Sequence, residues 1–255
     1  MNLIVQNISK SFAGVNVLSG LNLEFEAGKV TALIGPNGAG KTTLFNVISG
    51  FIKPNQGLVE LISGNGQRTK LTGLMPQNIA LKGIGRLFQD VRTFKKLTLL
   101  ENLMTAAPGQ TGEDPLKAVF RPQAVKSEEA VSEKRAMELL SFVGLEEFPH
   151  KPAETLSYGQ QKLLAIARLM AGNSSVFLLD EPTSGVHPEM MEKLLSVIRA
   201  LAQEGKTVVV IEHNMNVVLK VSDWVFLLDD GQVAYFGMAQ EVLNSNELKE
   251  AYLGV

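Results

Sequence analysis

The sequence predicts an α/β domain: a mainly parallel sheet with crossover helices, an antiparallel piece at the N-terminal end and a helical insertion in the middle. Three observations carry this. Val176-Phe177-Leu178-Leu179 and Val208-Val209-Val210-Ile211 are apolar at every position, as parallel strands covered on both faces require. Helical patterns alternate with them at about 157–170 and 189–203, ending at Gly172 and Gly205. Residues 21–25 instead alternate, with Leu21, Leu23 and Phe25 set against Asn22 and Glu24, the pattern of a strand with one wet face. A chain of 255 residues can bury one such core, with or without a subdomain.

Taken in order, residues 3–8 and 21–25 read as antiparallel strands joined by a turn that contains Gly14 and Gly20. Lys29 to Ile34 is a short buried strand, and Thr42 to Ile48 a helix ended by Gly50. Residues 107–126 are polar and rich in Pro and Gly, which marks a surface insertion. Ser127 is then expected to cap a helix with Glu128 and Glu129 in its first turn, stopped at Gly144. Val131, Met137, Leu140 and Val143 would form its apolar face. About 90–160 therefore reads as a helical subdomain. Its expected bounds are 89–162, with 1–88 and 163–255 forming the sheet core.

Composition removes several function classes. Charge is nearly balanced, with 24 basic and 26 acidic residues, so nucleic acid is not expected as a partner. Cysteine is absent, which excludes disulfides, thiolate metal sites and Cys nucleophiles. Met1 to Lys10 lacks the pattern of a signal peptide, and the longest apolar runs are too short to span a bilayer. Any membrane role is expected to come through a partner.

The chemistry begins at Gly35-Pro36-Asn37-Gly38-Ala39-Gly40-Lys41-Thr42-Thr43, which fits G-x-x-x-x-G-K-[ST] between a strand and a helix. Glycines let successive backbone N–H groups point into one hollow, and the helix N-terminus adds partial positive charge. Lys41 would reach the β- and γ-phosphates of a nucleoside triphosphate, and the Thr42 hydroxyl would ligate Mg²⁺. The strand at 176–179 ends in Asp180 and Glu181. Beside such a loop, an Asp at a strand end helps hold Mg²⁺, and Glu181 is placed to deprotonate the attacking water. Ser157 suits a helix N-cap, and Gly159 leaves backbone N–H groups open to an anion.

Leu156-Ser157-Tyr158-Gly159-Gln160-Gln161 resembles the signature motif of ABC-type ATPases. The resemblance covers essentially the whole chain and implies a P-loop (RecA-like) core. It also implies that Ser157, Gly159 and Gln160 close on the γ-phosphate of ATP held by another subunit. Phe12 stands where the family stacks an aromatic on adenine. Gln89 matches the glutamine that touches Mg²⁺ and the attacking water, and His213 the histidine that hydrogen-bonds the γ-phosphate. His150 and His187 match no role and read as surface residues. Two departures stand out: Tyr158 where many members have Gly, and Ser184-Gly185-Val186-His187 for the usual Ser-Ala-Leu-Asp. The second bears on communication between two sites rather than on ATP binding.

Within that family the chain most resembles the ATPases of branched-chain amino acid importers. The segment from Gly83 to Phe94 and on through Leu99-Leu100-Glu101-Asn102-Leu103 is similar to theirs, as are Glu212-His213-Asn214-Met215 and Ala251-Tyr252-Leu253-Gly254. The resemblance implies ATP and Mg²⁺ as cofactors and a second ATPase subunit, the same chain or a sister. It implies separate transmembrane permease chains gripped by Val91 to Leu103, and, indirectly, a periplasmic or extracellular solute-binding protein. The location it implies is peripheral, on the cytoplasmic face of the membrane. A cytosolic ABC ATPase without a transporter, such as an iron–sulfur assembly ATPase, has similar length and the same core motifs and stays as the alternative.

Overall fold

Three strands carry the centre of the fold, and every residue in them is buried. They are β3 (Val30–Ile34), β7 (Val176–Asp180) and β8 (Thr207–Ile211), numbered in chain order in the computed structural model. Their apolar runs are what a strand covered on both faces needs. The structure describes residues 1–108, 122–243, 245, 246 and 248; the side chains of 122–127 and 243 lie outside the description. Most of the polar stretch expected at 107–126, and the ending Ala251-Tyr252-Leu253-Gly254, therefore fall outside it.

The chain divides into two compact units: 1–89 with 175–184 and 198–255, and 90–174 with 185–197. In the first, β9 (Trp224–Asp229), β3, β8, β7 and β6 (Ile84–Leu87) run parallel in that order, and β10 (Gln232–Met238) closes one edge antiparallel to β9. The β7–β8 register runs from Val176 opposite Thr207 to Asp180 opposite Ile211. A second, antiparallel sheet has the order β2 (Val15–Phe25), β1 (Asn2–Phe12), β4 (Gln56–Ile62), β5 (Arg68–Lys70). Leu21, Leu23 and Phe25 are buried and Asn22 and Glu24 exposed, as their alternation predicts. The turn is shorter than expected. It lies at Ala13 and Gly14, while Gly20 sits inside β2, where its N–H donates to Ser9 Oγ beside irregular pairing.

Helix α1 (Lys41–Ile48) packs Leu44, Phe45 and Ile48 into a core with Leu3, Ile8, Phe25, Leu33, Leu178, Val209 and Phe226. A smaller cluster joins Ala32, Ile34, Val225 and Leu227 to Val218 and Val242. The short helix α2 (Pro76–Leu81) precedes β6.

The second unit holds α3 (Leu99–Met104), α4 (Pro122–Val143), α5 (Tyr158–Ala171) and residues 188–197 of α6 (Pro188–Gln203). Three expectations change here. Helix α4 begins at Pro122, so Ser127 lies within it rather than capping it. Val131 is exposed; the buried face is Ala136, Leu139, Leu140 and Val143. The boundary drawn at 162/163 falls inside α5, which packs on α3 and α4 and stays whole with this unit. Asn102 is fully buried and organises the loop before α3. Its Nδ2 donates to the carbonyls of Phe94, Leu97 and Thr98, and its Oδ1 accepts from the Phe94 N–H. Further along, α7 (Met215–Val221) and α8 (Ala239–Leu243) belong to the first unit.

Candidate functional site

The carboxyl ends of β3, β7 and β8 converge on one hollow, the place where open α/β sheets bind ligands. The hollow measures about 360 Å³ and is lined by Asn37, Gly38, Gly40, Lys41, Thr42, Thr43, Glu181 and His213, with Val17 and Ile211. Its floor is the loop after β3. Gly35 has φ 145°, and a Cβ there would lie 2.0 Å from the Leu228 carbonyl oxygen, so only glycine fits. Pro36 is half-buried, Asn37 and Gly38 are exposed, and Ala39 and Gly40 are buried. The order follows from a loop that curls against β2 on one side and opens on the other.

Lys41 is buried, and its Nζ donates to the carbonyls of Gly35 at 2.7 Å and Pro36 at 2.8 Å. Burial pushes this ammonium below the usual lysine range, opposed by the charges of Glu181 and Asp180. Thr42 is exposed beside it. Across the hollow Glu181 takes a left-handed backbone, φ 46°, which costs a non-glycine residue about 1–3 kcal/mol. Its carboxylate sits between two partners: His213 Nε2 is 3.1 Å from Oε1, and Gln89 Nε2 donates to Oε2 at 3.4 Å. The last strand residue, Asp180, is buried and ion-paired to Arg86 at 3.1 Å. Burial raises its pKa, opposed by the hydrogen bond and charge of Arg86.

Thus Lys41, Thr42, Thr43, Gln89, Asp180, Glu181 and His213, scattered through the sequence, meet in the first unit. Phe12 stands apart from the lining: it ends β1, exposed, with Lys10 Nζ 5.0 Å from its ring centre. Ser157, Gly159 and Gln160 belong to the second unit. There Ser157 Oγ accepts from the Gln160 N–H, and Gln160 Oε1 accepts from the Ser157 N–H at 2.9 Å. This capping box follows from the S-x-x-Q spacing, a signal the simple N-cap reading passed over. Gly159 is buried, and a Cβ on it would lie 2.5 Å from Met190 Cγ. His150 and His187 are exposed, as expected of surface residues.

Sequence reasoning missed Arg86 and Glu212. Arg86 also donates to Asn46 Oδ1 and Ser49 Oγ. Glu212, adjacent to His213, is buried and accepts two hydrogen bonds from Thr183. No local pattern announces either one; both act through residues far away in sequence.

No helix among the described residues is long and apolar enough to cross a membrane. The family described as ABC transporter matches residues 18–184. The chain is 37% identical to the high-affinity branched-chain amino acid transport ATP-binding protein BraF of Pseudomonas aeruginosa, across 98% of this chain and 96% of that one. It is 34% identical to LivG of Escherichia coli strain K12, named for the same transport, across 99% and 97%. A nucleotide-free ATP-binding cassette from an ABC transporter superposes with a TM-score of 0.81 at 32% identity, covering all of both chains. A dimeric cassette in a post-hydrolysis state with ADP and Pi gives 0.72 at 29% identity, over 93% of this chain and 98% of that one. These relatives are named for transport, so a cassette without a transporter is not favoured. The chain belongs to the ABC transporter family, as one of its ATP-binding, ATP-hydrolysing cassettes.

Proposed function

We propose that this chain powers an importer of branched-chain or other hydrophobic amino acids. Two copies, or one copy and a sister chain, close head-to-tail over two ATP molecules. The observation that carries the catalytic part is the pairing of Glu181 with His213 on one carboxylate oxygen and Gln89 on the other, across the hollow from Lys41. A carboxylate held on both sides beside the hollow of the phosphate loop suits a base that orients and deprotonates water.

Lys41 exchanges the carbonyls of Gly35 and Pro36 for β- and γ-phosphate oxygens, joined by the N–H groups of the loop from Gly35 through Thr43. Charge-assisted bonds to phosphate are stronger than those carbonyl bonds and restore the full charge that burial opposes. Phe12 stacks on the adenine, and the partner subunit brings its signature helix, Ser157, Gly159 and Gln160, to the γ-phosphate. His213 stabilises the charge that develops there.

The residues fit Mg²⁺. The Thr42 hydroxyl, Asp180 and the Gln89 amide are hard oxygen donors, directly or through water. Among the described residues no three His, Asp or Glu side chains form a metal cage. That suits an ion which arrives with substrate phosphates and keeps several waters. When bound, it would neutralise phosphate charge.

The names of BraF and LivG support the solute class and imply separate permease chains, gripped by the 91–103 segment. A solute-binding protein outside the membrane is part of the same reading. Nucleic acid is not, because the chain carries 24 basic against 26 acidic residues. The subunit sits at the cytoplasmic face, held there by the permease. Glu181→Gln tests the mechanism: hydrolysis should stop while ATP-bound dimers accumulate on gel filtration. Normal turnover by that variant overturns the base assignment. Co-expression with its permease should carry the chain into the membrane pellet, and a chain left in the supernatant overturns the importer reading.

A further inference from the structure

We infer that Glu212 is a positioning residue for hydrolysis. Through Thr183 it keeps the segment bearing Glu181 in register with the end of β8 that bears His213. The inference rests on the roles proposed above for Glu181 and His213.

The clasp lies where the sheet stops. The parallel ladder between β7 and β8 ends at Asp180 opposite Ile211. One more backbone bond follows, from the Glu181 N–H to the Ile211 carbonyl at 3.0 Å. Then the ladder has no means to continue. Glu181 turns into the left-handed region, and Pro182 has no N–H to donate. A side chain takes over. Glu212 Oε1 accepts from the Thr183 N–H at 3.0 Å and from the Thr183 hydroxyl at 2.7 Å. Glu212 is 4% exposed and Thr183 6%, so water does not compete.

Burying a carboxylate is unfavourable unless hydrogen bonds compensate it, and an apolar residue would fill the space at lower cost. Here both donors come from one residue, two positions after Glu181, while the acceptor is one position before His213. The clasp therefore spans the site: on one side the strained backbone of Glu181, on the other the imidazole 3.1 Å from its carboxylate. Letting it go frees the two to drift apart without touching the loop that holds Lys41.

The test uses the full chain with ATP and Mg²⁺, and separately ATP binding in EDTA. Glu212→Leu and Thr183→Val should each lower kcat by about ten- to a hundredfold, the scale of a 1 Å misplacement. ATP binding in EDTA should stay within about twofold, because an energy difference of a few tenths of a kcal/mol is all that remains for untouched contacts. Glu212→Gln keeps an acceptor at the same reach and Thr183→Ser keeps the hydroxyl, so both should retain most of the rate. The double variant should be no slower than the slower single one, since both remove the same link. Wild-type kcat in Glu212→Leu, additive losses in the double variant, or an equal fall in ATP binding overturns the inference. Should Glu212→Leu fail to fold, Thr183→Val against Thr183→Ser decides: equal rates overturn it. Glu181→Gln, run alongside, separates the two readings. If that variant turns over normally, the base assignment fails; if it is inactive while Glu212→Leu keeps its rate, the clasp alone fails.

Discussion

Arg86 Nη2 meets Asp180 Oδ2 at 3.1 Å, with 6% and 10% of the two side chains exposed, and the same guanidinium holds Asn46 of α1 and Ser49, the C-cap of that helix. Its Cζ lies 4.7 Å from the Phe88 ring centre. One buried cation thus joins the strand before Gln89, the helix after the phosphate loop and the acid at the end of β7. A guanidinium presents five N–H donors in a rigid planar fork, so its three partners are held in fixed directions, which a rotating ammonium does not impose.

Replacing Arg86 by Met should leave the Asp180 carboxylate buried without its countercharge and lower unfolding stability by about 3–5 kcal/mol. Adding Asp180→Asn should recover much of that loss, because the uncompensated charge is gone. Urea unfolding of the single and double variants measures both. Equal stabilities of parent and Arg86→Met would show that the pair contributes nothing.

A glycine at the start of α5 sets two effects against each other. Alanine at 159 gains at most about 1 kcal/mol of helix propensity. Its Cβ would lie 2.5 Å from Met190 Cγ and 3.1 Å from Val186 Cγ1, an overpacking that costs about 1–3 kcal/mol. Gly159→Ala should therefore melt lower, and Met190→Ala in the same chain should relieve part of the loss. A higher melting temperature for the single variant would mean that Met190 swings aside freely.

Acid should weaken the cap of α3. The Glu101 carboxylate accepts from the Thr98 N–H and hydroxyl, both at 2.8 Å, and the backbone bond is the chief reason its pKa lies below the usual carboxylate range. The folded-state value is depressed, so the contribution is present above the unfolded pKa and is lost as pH falls through the folded one. Between about pH 5 and pH 3, around the reference glutamate pKa, the melting temperature should drop. Glu101→Gln, whose cap does not titrate, should show a smaller share of that drop. Parallel acid limbs in the two proteins would count against it.

Several parts of the site were legible one motif at a time. Gly35 to Thr42 announces a phosphate loop because backbone curvature demands glycine at set positions, and Gly35 has no room for a Cβ. The strands ending at Ile34, Asp180 and Ile211 were legible because burial on both faces demands unbroken apolar runs. Val131 was misread because a ragged apolar pattern does not specify the face, and only the packing of α4 shows Ala136 and Leu139 turned inward. Gly20 was misread because a bulge in a long strand and a turn use the same residue.

By itself, then, the sequence determined which residue types stand at the ends of which strands, since local geometry and burial constrain those positions one by one. Tertiary structure alone decided that Arg86 faces Asp180, that Asn102 ties down Phe94 to Thr98, and that Glu212 takes Thr183 where Pro182 breaks the ladder. Those are contacts of polar side chains in a nearly dry interior. Partners there are chosen by three-dimensional reach and by the cost of leaving a buried group unpaired, and neither quantity is written in spacing along the chain.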